Sequence, residues 1–304
     1  MGLLDKLGFG KKKEDAEASR VKPRRKVDLD ARFERLRTAV SGTMSKFYVA
    51  RDRETNQIVG LKLCDVEKFK FFESRFKGMN KPPEGEIAVS MDHPNIIKTL
   101  EWGYSVHDEP YLVMEFIDGP GLNTLIQREE RERLQGRCVN IIRQMAIALQ
   151  YVHRKGYIHR DVCPRNFICT QDLTTVKLID FGLTVPATEP FMRPGNRTGT
   201  PLYMAPEIVR RRQTDQRLDI FALGVSCYQL LTFTFPWPVS ETSGIAALSH
   251  DTSHPRDILE YRPDLNRTLA RMVMQCVQAD PAARIQTMDQ FVQMLDKVKS
   301  ETEP

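Results

Sequence analysis

The chain has 304 residues, 41% of them hydrophobic and 28% charged, which suits a globular protein and excludes a collagen-like or low-complexity one. It contains no apolar run of roughly eighteen residues and lacks the apolar core and small-residue cleavage site of a secretory signal, so a cytoplasmic location is expected. The net charge of +5 resides in residues 1–26, which hold nine Lys or Arg against four Asp or Glu; the other residues carry 36 of each sign and offer no general attraction for nucleic acid.

The opening segment, MGLLDKLGFGKKKEDAEASRVKPRRK, sets Leu3, Leu4, Leu7 and Phe9 at helical spacing before turning polar. Residues 1–32 are therefore expected to form a basic, disordered extension. Its apolar turn with Lys11, Lys12 and Lys13 suits an anionic membrane surface, which would make the chain peripheral to a membrane. Gly2 does not make a myristoylation site, because Lys6 stands where that motif requires Ser or Thr. The six cysteines form no C-x-x-C pair, so buried reduced thiols are expected rather than a zinc site or disulfides.

From about residue 33, FYVARD and IVGLKLCD are short apolar runs joined by RETNQ, the pattern of a hairpin. After YLVMEFIDG the period lengthens to that of helices: Ile142, Met145, Ala146, Leu149 and Val152 share one face. DIFALGVSCYQLL is apolar all round, as a buried helix is, and Leu269, Met272, Val273, Cys276 and Val277 repeat the amphipathic spacing. The expected fold is α+β in two lobes: a small β-rich lobe over about 33–114, a hinge at 115–118, a larger α-helical lobe over 119–297, and a tail at 298–304.

HRDVCPRN at 159–166, DFG at 180–182 and APE at 205–207 follow in order with loop-sized gaps. With MEFIDG, GTPLYMAPE and DPAAR, they make the chain resemble the eukaryotic-type protein kinase family over about residues 33–297. The resemblance implies transfer of the γ-phosphate of ATP, with Mg2+, to a hydroxyl of a protein substrate. Asn166 and Asp180 match the family's metal positions and offer oxygen donors. Asp161 matches the residue that orients the hydroxyl and accepts its proton, and Lys62 the lysine on the α and β phosphates. Glu84, nine residues before His93, matches that lysine's partner, with Glu73 and Glu86 as alternatives. It would have to stand in the first turn of a helix begun by Pro82 and Pro83.

Several positions depart from the family pattern. In VSGTMSKF only Gly42 remains of three phosphate-covering glycines, with Val40 and Ser45 in the other two places. Phe47 replaces a smaller residue above adenine while Gly60 replaces the usual alanine, a trade of volume. The expected adenine site has Phe47 as roof, Ile168 as floor and Met114, Glu115 and Ile117 along the hinge edge. Cys163 stands where Ser/Thr kinases place a lysine, so Arg165 is expected to supply the missing positive charge. The Thr200-Pro201 pair favours serine and threonine acceptors. His159, Arg160, Asp219 and a buried Glu207–Arg284 ion pair are assigned to the scaffold, and Arg160 further suggests control by phosphorylation of Thr188 or Thr198. The other readings are a pseudokinase scaffold on the same fold and a small-molecule kinase. A second copy of the chain is a further partner to consider, for trans-autophosphorylation.

Overall fold

The computed structural model describes residues 24–41, 45–195, 198–238 and 249–303. Gly42 and the residues expected to meet a membrane, Leu3 to Phe9 and Lys11 to Lys13, lie outside these.

The small lobe contains β1 (Arg24–Val27), α1 (Leu29–Arg32), β2 (Phe33–Ser41), β3 (Ser45–Asp52), β4 (Gln57–Cys64), α2 (Val66–Ser74), α3 (Glu84–Val89), β5 (Thr99–Ser105) and β6 (Pro110–Glu115). Its six strands form one sheet in the order β1-β5-β6-β4-β3-β2. The expected hairpin is β3–β4, in register from Ser45 opposite Cys64 to Asp52 opposite Gln57. Alternation in these strands buries Ala50, Val59, Leu61, Tyr111 and Val113 on one face with Leu29 and Phe33.

The expected 1–32 extension is therefore corrected from residue 24 onward. β1 pairs in parallel with β5, and the Asp28 carboxylate caps α1 by accepting from the Asp30 and Ala31 amides. Arg32 is buried, holding Asp52 through Nε at 3.1 Å and Nη2 at 2.7 Å and Glu101 through Nη1 at 2.8 Å. RRKV lacks an apolar alternation and so reads as tail. Its main chain nonetheless completes the β5 edge, while exposed Lys26 meets Asp108 at 2.7 Å.

The large lobe contains α4 (Leu122–Gln127), α5 (Arg131–Leu134), α6 (Cys138–Arg154), β7 (Tyr157–Ile158), β8 (Phe167–Cys169), β9 (Val176–Leu178), β10 (Val185–Pro186), α7 (Glu189–Met192), α8 (Pro206–Val209), α9 (Arg217–Thr232), α10 (Ser249–Thr252), α11 (Ile258–Tyr261), α12 (Arg267–Cys276) and α13 (Met288–Leu295). The apolar face read from Ile142 to Val152 is buried in α6. α9, apolar all round, is buried from Leu218 to Thr232. The terminal residues pack onto this lobe: Val298 is buried, Asn266 N donates to Glu301 O at 2.9 Å, and Glu301 pairs with Arg262 at 3.0 Å. All six cysteines are free and buried. Among the described residues, no helix is long and apolar enough to cross a membrane.

Candidate active site

A cavity of about 550 Å3 lies between the lobes. Phe47 of β3 and Gly60 and Lys62 of β4 line it from the small lobe, Met114, Glu115 and Ile117 from the hinge, and Ile168 of β8 from the large lobe; Asp161, Arg165, Asn166 and Asp180 line it too.

Lys62 sits on a central strand and is 3% exposed. Its Nζ donates to the Glu84 Oε1 and, at 2.7 Å, to Asp180 Oδ1. Glu84 opens α3 directly after Pro83, in the helix's first turn. Gly85 explains how it gets there: a Cβ at that position would stand 2.4 Å from the Trp102 ring, so only glycine lets α3 rest on β5 this closely. Glu73 is occupied elsewhere, accepting from Lys81 Nζ at 2.8 Å, and Glu86 is exposed. Burial alone would lower the Lys62 ammonium, but Asp180 and Glu84 overcome it and raise the group. For Asp180, burial pushes the carboxyl up and Lys62 wins, holding it below the ordinary range. For Glu84, burial prevails over Lys62 and the carboxyl rises. Asp180 has φ +68°, and the Gly182 amide donates to its Oδ1 at 2.9 Å.

The catalytic loop hangs from a buried carboxylate. Asp219 accepts from the His159 and Arg160 amides, each at 2.8 Å, and its Oδ2 lies 2.9 Å from His153 Nε2. Asn166 Nδ2 donates to the Asp161 carbonyl at 2.7 Å and to Asp161 Oδ2 at 2.9 Å. The other carboxylate oxygen of Asp161 accepts from Thr200, through the hydroxyl at 2.6 Å and the amide at 3.0 Å. Arg165 Nη2 donates to the same hydroxyl at 3.0 Å. Cys163 is buried with its Sγ 3.9 Å from that oxygen, and burial pushes its thiol up to about 12. Glu207 and Arg284 form the expected buried pair, bidentate at 2.7 and 2.8 Å.

Magnesium takes oxygen ligands and keeps several from water or phosphate, so few protein donors suffice. The Asn166 amide spends its nitrogen on Asp161 and its carbonyl oxygen in none of these bonds; Asp180 likewise bonds Lys62 and Gly182 through Oδ1, leaving Oδ2 as a donor. These two side chains fit the metal. Among the described residues there is no cluster of three or more His, Cys, Asp or Glu.

Three placements differ from the sequence expectations or extend them. The Phe47 ring stands 5.4 Å from Lys62 Nζ, opposite it in register, while Gly60 pairs with Val49. The nearest neighbours of a Gly60 Cβ would be Glu115 O at 3.6 Å and Met114 Cβ at 3.8 Å, so the hinge, not Phe47, borders the glycine. Arg160 is buried, donating through Nη2 to Phe191 O at 3.1 Å and Thr214 Oγ1 at 3.2 Å, and burial lowers it to about 10 despite Asp219. Finally, the wall includes residues not foreseen: Thr200, and Lys68, Phe69, Phe71 and Arg75 on and just after α2. The GTP triplet pointed at Thr200 only as a marker of acceptor class.

Residues 33–295 match the family model described as the protein kinase domain. The chain belongs to the protein kinase domain family. Among relatives of this kinase domain, serine/threonine-protein kinase pkn3 of Myxococcus xanthus is 30% identical over 270 residues, covering 86% of this chain and 48% of that protein. A probable serine/threonine-protein kinase of Clostridium perfringens is also 30% identical, over 90% of this chain and 39% of its own length. Serine/threonine-protein kinase PrkC of Bacillus subtilis is 26% identical over 86% of this chain and 39% of its own. The kinase chain thus spans about half or less of the length of these relatives.

Proposed function

We propose that the chain transfers the γ-phosphate of ATP to serine or threonine hydroxyls of protein substrates. One observation carries this reading: a threonine hydroxyl already donates to Asp161 at 2.6 Å while the Arg165 guanidinium donates to that same oxygen at 3.0 Å. A substrate hydroxyl taking that place would meet a proton acceptor on one side and a cation on the other. Its oxygen bonds to the γ-phosphorus as the bond from that phosphorus to the β-phosphate oxygen breaks; ADP leaves, and the hydroxyl proton passes to Asp161.

In this reading Lys62, held by Glu84, neutralises the α and β phosphates. Asn166 and Asp180 would hold magnesium, which when bound draws charge from the phosphate oxygens. In this reading the adenine lies above Ile168 with Met114, Glu115 and Ile117 along its edge, and Phe47 covers it from the side nearer Lys62. Arg165 takes over from the lysine that Cys163 replaces, since a buried thiol raised to about 12 stays neutral and cannot steady a phosphate. The serine/threonine assignment is supported by the named activity of the relatives and by Thr200 itself.

The test is incubation of the purified chain with magnesium and radiolabelled ATP, beside Asp161→Asn and Asp180→Ala, followed by phosphoamino-acid analysis. Label on serine or threonine that disappears in both variants is the expected result. A folded chain that binds ATP and transfers nothing would identify a pseudokinase scaffold instead.

A further inference from the structure

The sequence offers Arg160 as the receiver of a phosphate placed on Thr188 or Thr198. The structure puts something else against it. Arg160 is 4% exposed, and its Nη2 donates to the Phe191 carbonyl at 3.1 Å and to Thr214 Oγ1 at 3.2 Å. Its Nε and Nη1 are buried without a partner, so among the described residues no anion after DFG holds this guanidinium. The acidic residue of α7 does not fill in, because Glu189 is exposed and pairs with Arg193 at 2.9 Å. Thr188 is exposed as well, and its side chain does not cap α7.

The same stretch is fixed by other means. Val185 and Pro186 of β10 pair with β7, the Ala187 amide donates to Gly156 O at 2.7 Å, and the Thr214 amide donates to Met192 O at 2.9 Å. Between these ties stands Phe191, itself buried. Its ring lies 5.8 Å from Phe76, in the stretch that leads from α2 to α3, while its carbonyl holds the residue next to Asp161. One residue thus joins the small lobe, just ahead of Glu84, to the catalytic loop of the large lobe. A phosphate bridging cations of the two lobes would make such a join by charge, whereas here ring packing and burial make it. The Lys62–Glu84 and Asp161–Asn166 bonds are formed with the stretch held in this way.

We propose that Phe191 is a positioning residue that seats residues 185–195 between the lobes, so that the site works with no phosphate on Thr188 or Thr198. This rests on the kinase reading above and adds its regulation.

In the experiment the full chain is treated with a protein phosphatase and checked by mass to carry no phosphate. Its initial rate of label transfer from magnesium-ATP to a degenerate serine and threonine peptide mixture is compared with that of chain preincubated with magnesium-ATP. The two rates should agree within about twofold. Phe191→Ser should lower kcat/KM roughly tenfold and speed hydrogen exchange at Glu84 to Val89, whereas Phe191→Leu, which keeps an apolar side chain, should retain most of the activity. Thermal melting checks that both variants fold, and where Phe191→Ser does not, the phosphatase comparison decides. A dephosphorylated chain more than about tenfold slower than the preincubated one, or a folded Phe191→Ser variant with unaltered activity and exchange, overturns the proposal while leaving the kinase reading intact. Transfer by neither preparation overturns both.

Discussion

The lower wall of the cleft is held by directional polar bonds, and the upper wall on its α2 side by aromatic packing. Below, Asp219 fixes two consecutive amides of the catalytic loop, Asn166 fixes Asp161, and Glu207 locks Arg284 with both oxygens. Above, Phe72 and Phe76 meet edge to face at 5.2 Å, the Lys81 ammonium lies 5.5 and 5.7 Å from the two rings, and Phe76 reaches Phe191 of α7 at 5.8 Å. Hydrogen bonds weaken steeply with angle and distance, whereas ring contacts tolerate sliding. Asp161 and Asn166 thus sit on the rigid wall, and the exposed Phe71 ring sits on the compliant one.

Three changes probe this contrast. Glu207→Ala strands a buried guanidinium and should cost about 3–5 kcal/mol in urea unfolding, with the large lobe failing as a unit. Phe76→Ala should cost about 3 kcal/mol, and its effect should be local: faster hydrogen exchange in residues 188–195 with the protection of α6 and α9 retained. The third is a change of pH. His250 packs against Trp237 at 4.3 Å, and burial lowers it from 6.5 to about 4 against the pull of the Met204 carbonyl at 2.8 Å. Between those values the unfolded chain binds a proton that the folded chain refuses, so stability falls as pH drops from about 6.5 to about 4, by about 2–3 kcal/mol from this group. His250→Asn should flatten that part of the stability curve.

The motif loops were legible because the kinase family's chemistry asks for particular residue types there, and HRDVCPRN, DFG and the lysine of VGLK supply them in order. Even Glu84 could be placed, since the two prolines before it mark a helix start. Other features were hidden for physical reasons. β1 is four residues of mostly basic sequence whose partner, β5, lies about 75 residues further along, and nothing local announces such a pairing. The helix over VEKFKFFES was not among the expected elements, although Asp65 stands as its cap. Which of its phenylalanines becomes buried, and that the others face the cleft, depends on where α3 and α7 stand. Likewise the bond from Thr200 to Asp161 spans 39 residues and follows from the path of the intervening segment, not from either residue type.

Gly60 faces the cavity, and a methyl group there would meet the hinge only at ordinary contact distance, 3.6 Å from Glu115 O and 3.8 Å from Met114 Cβ. A purine analogue bearing a small substituent aimed at that strand would find room in this kinase and collide with relatives that carry alanine there, which makes a single missing carbon a handle for selective inhibitors.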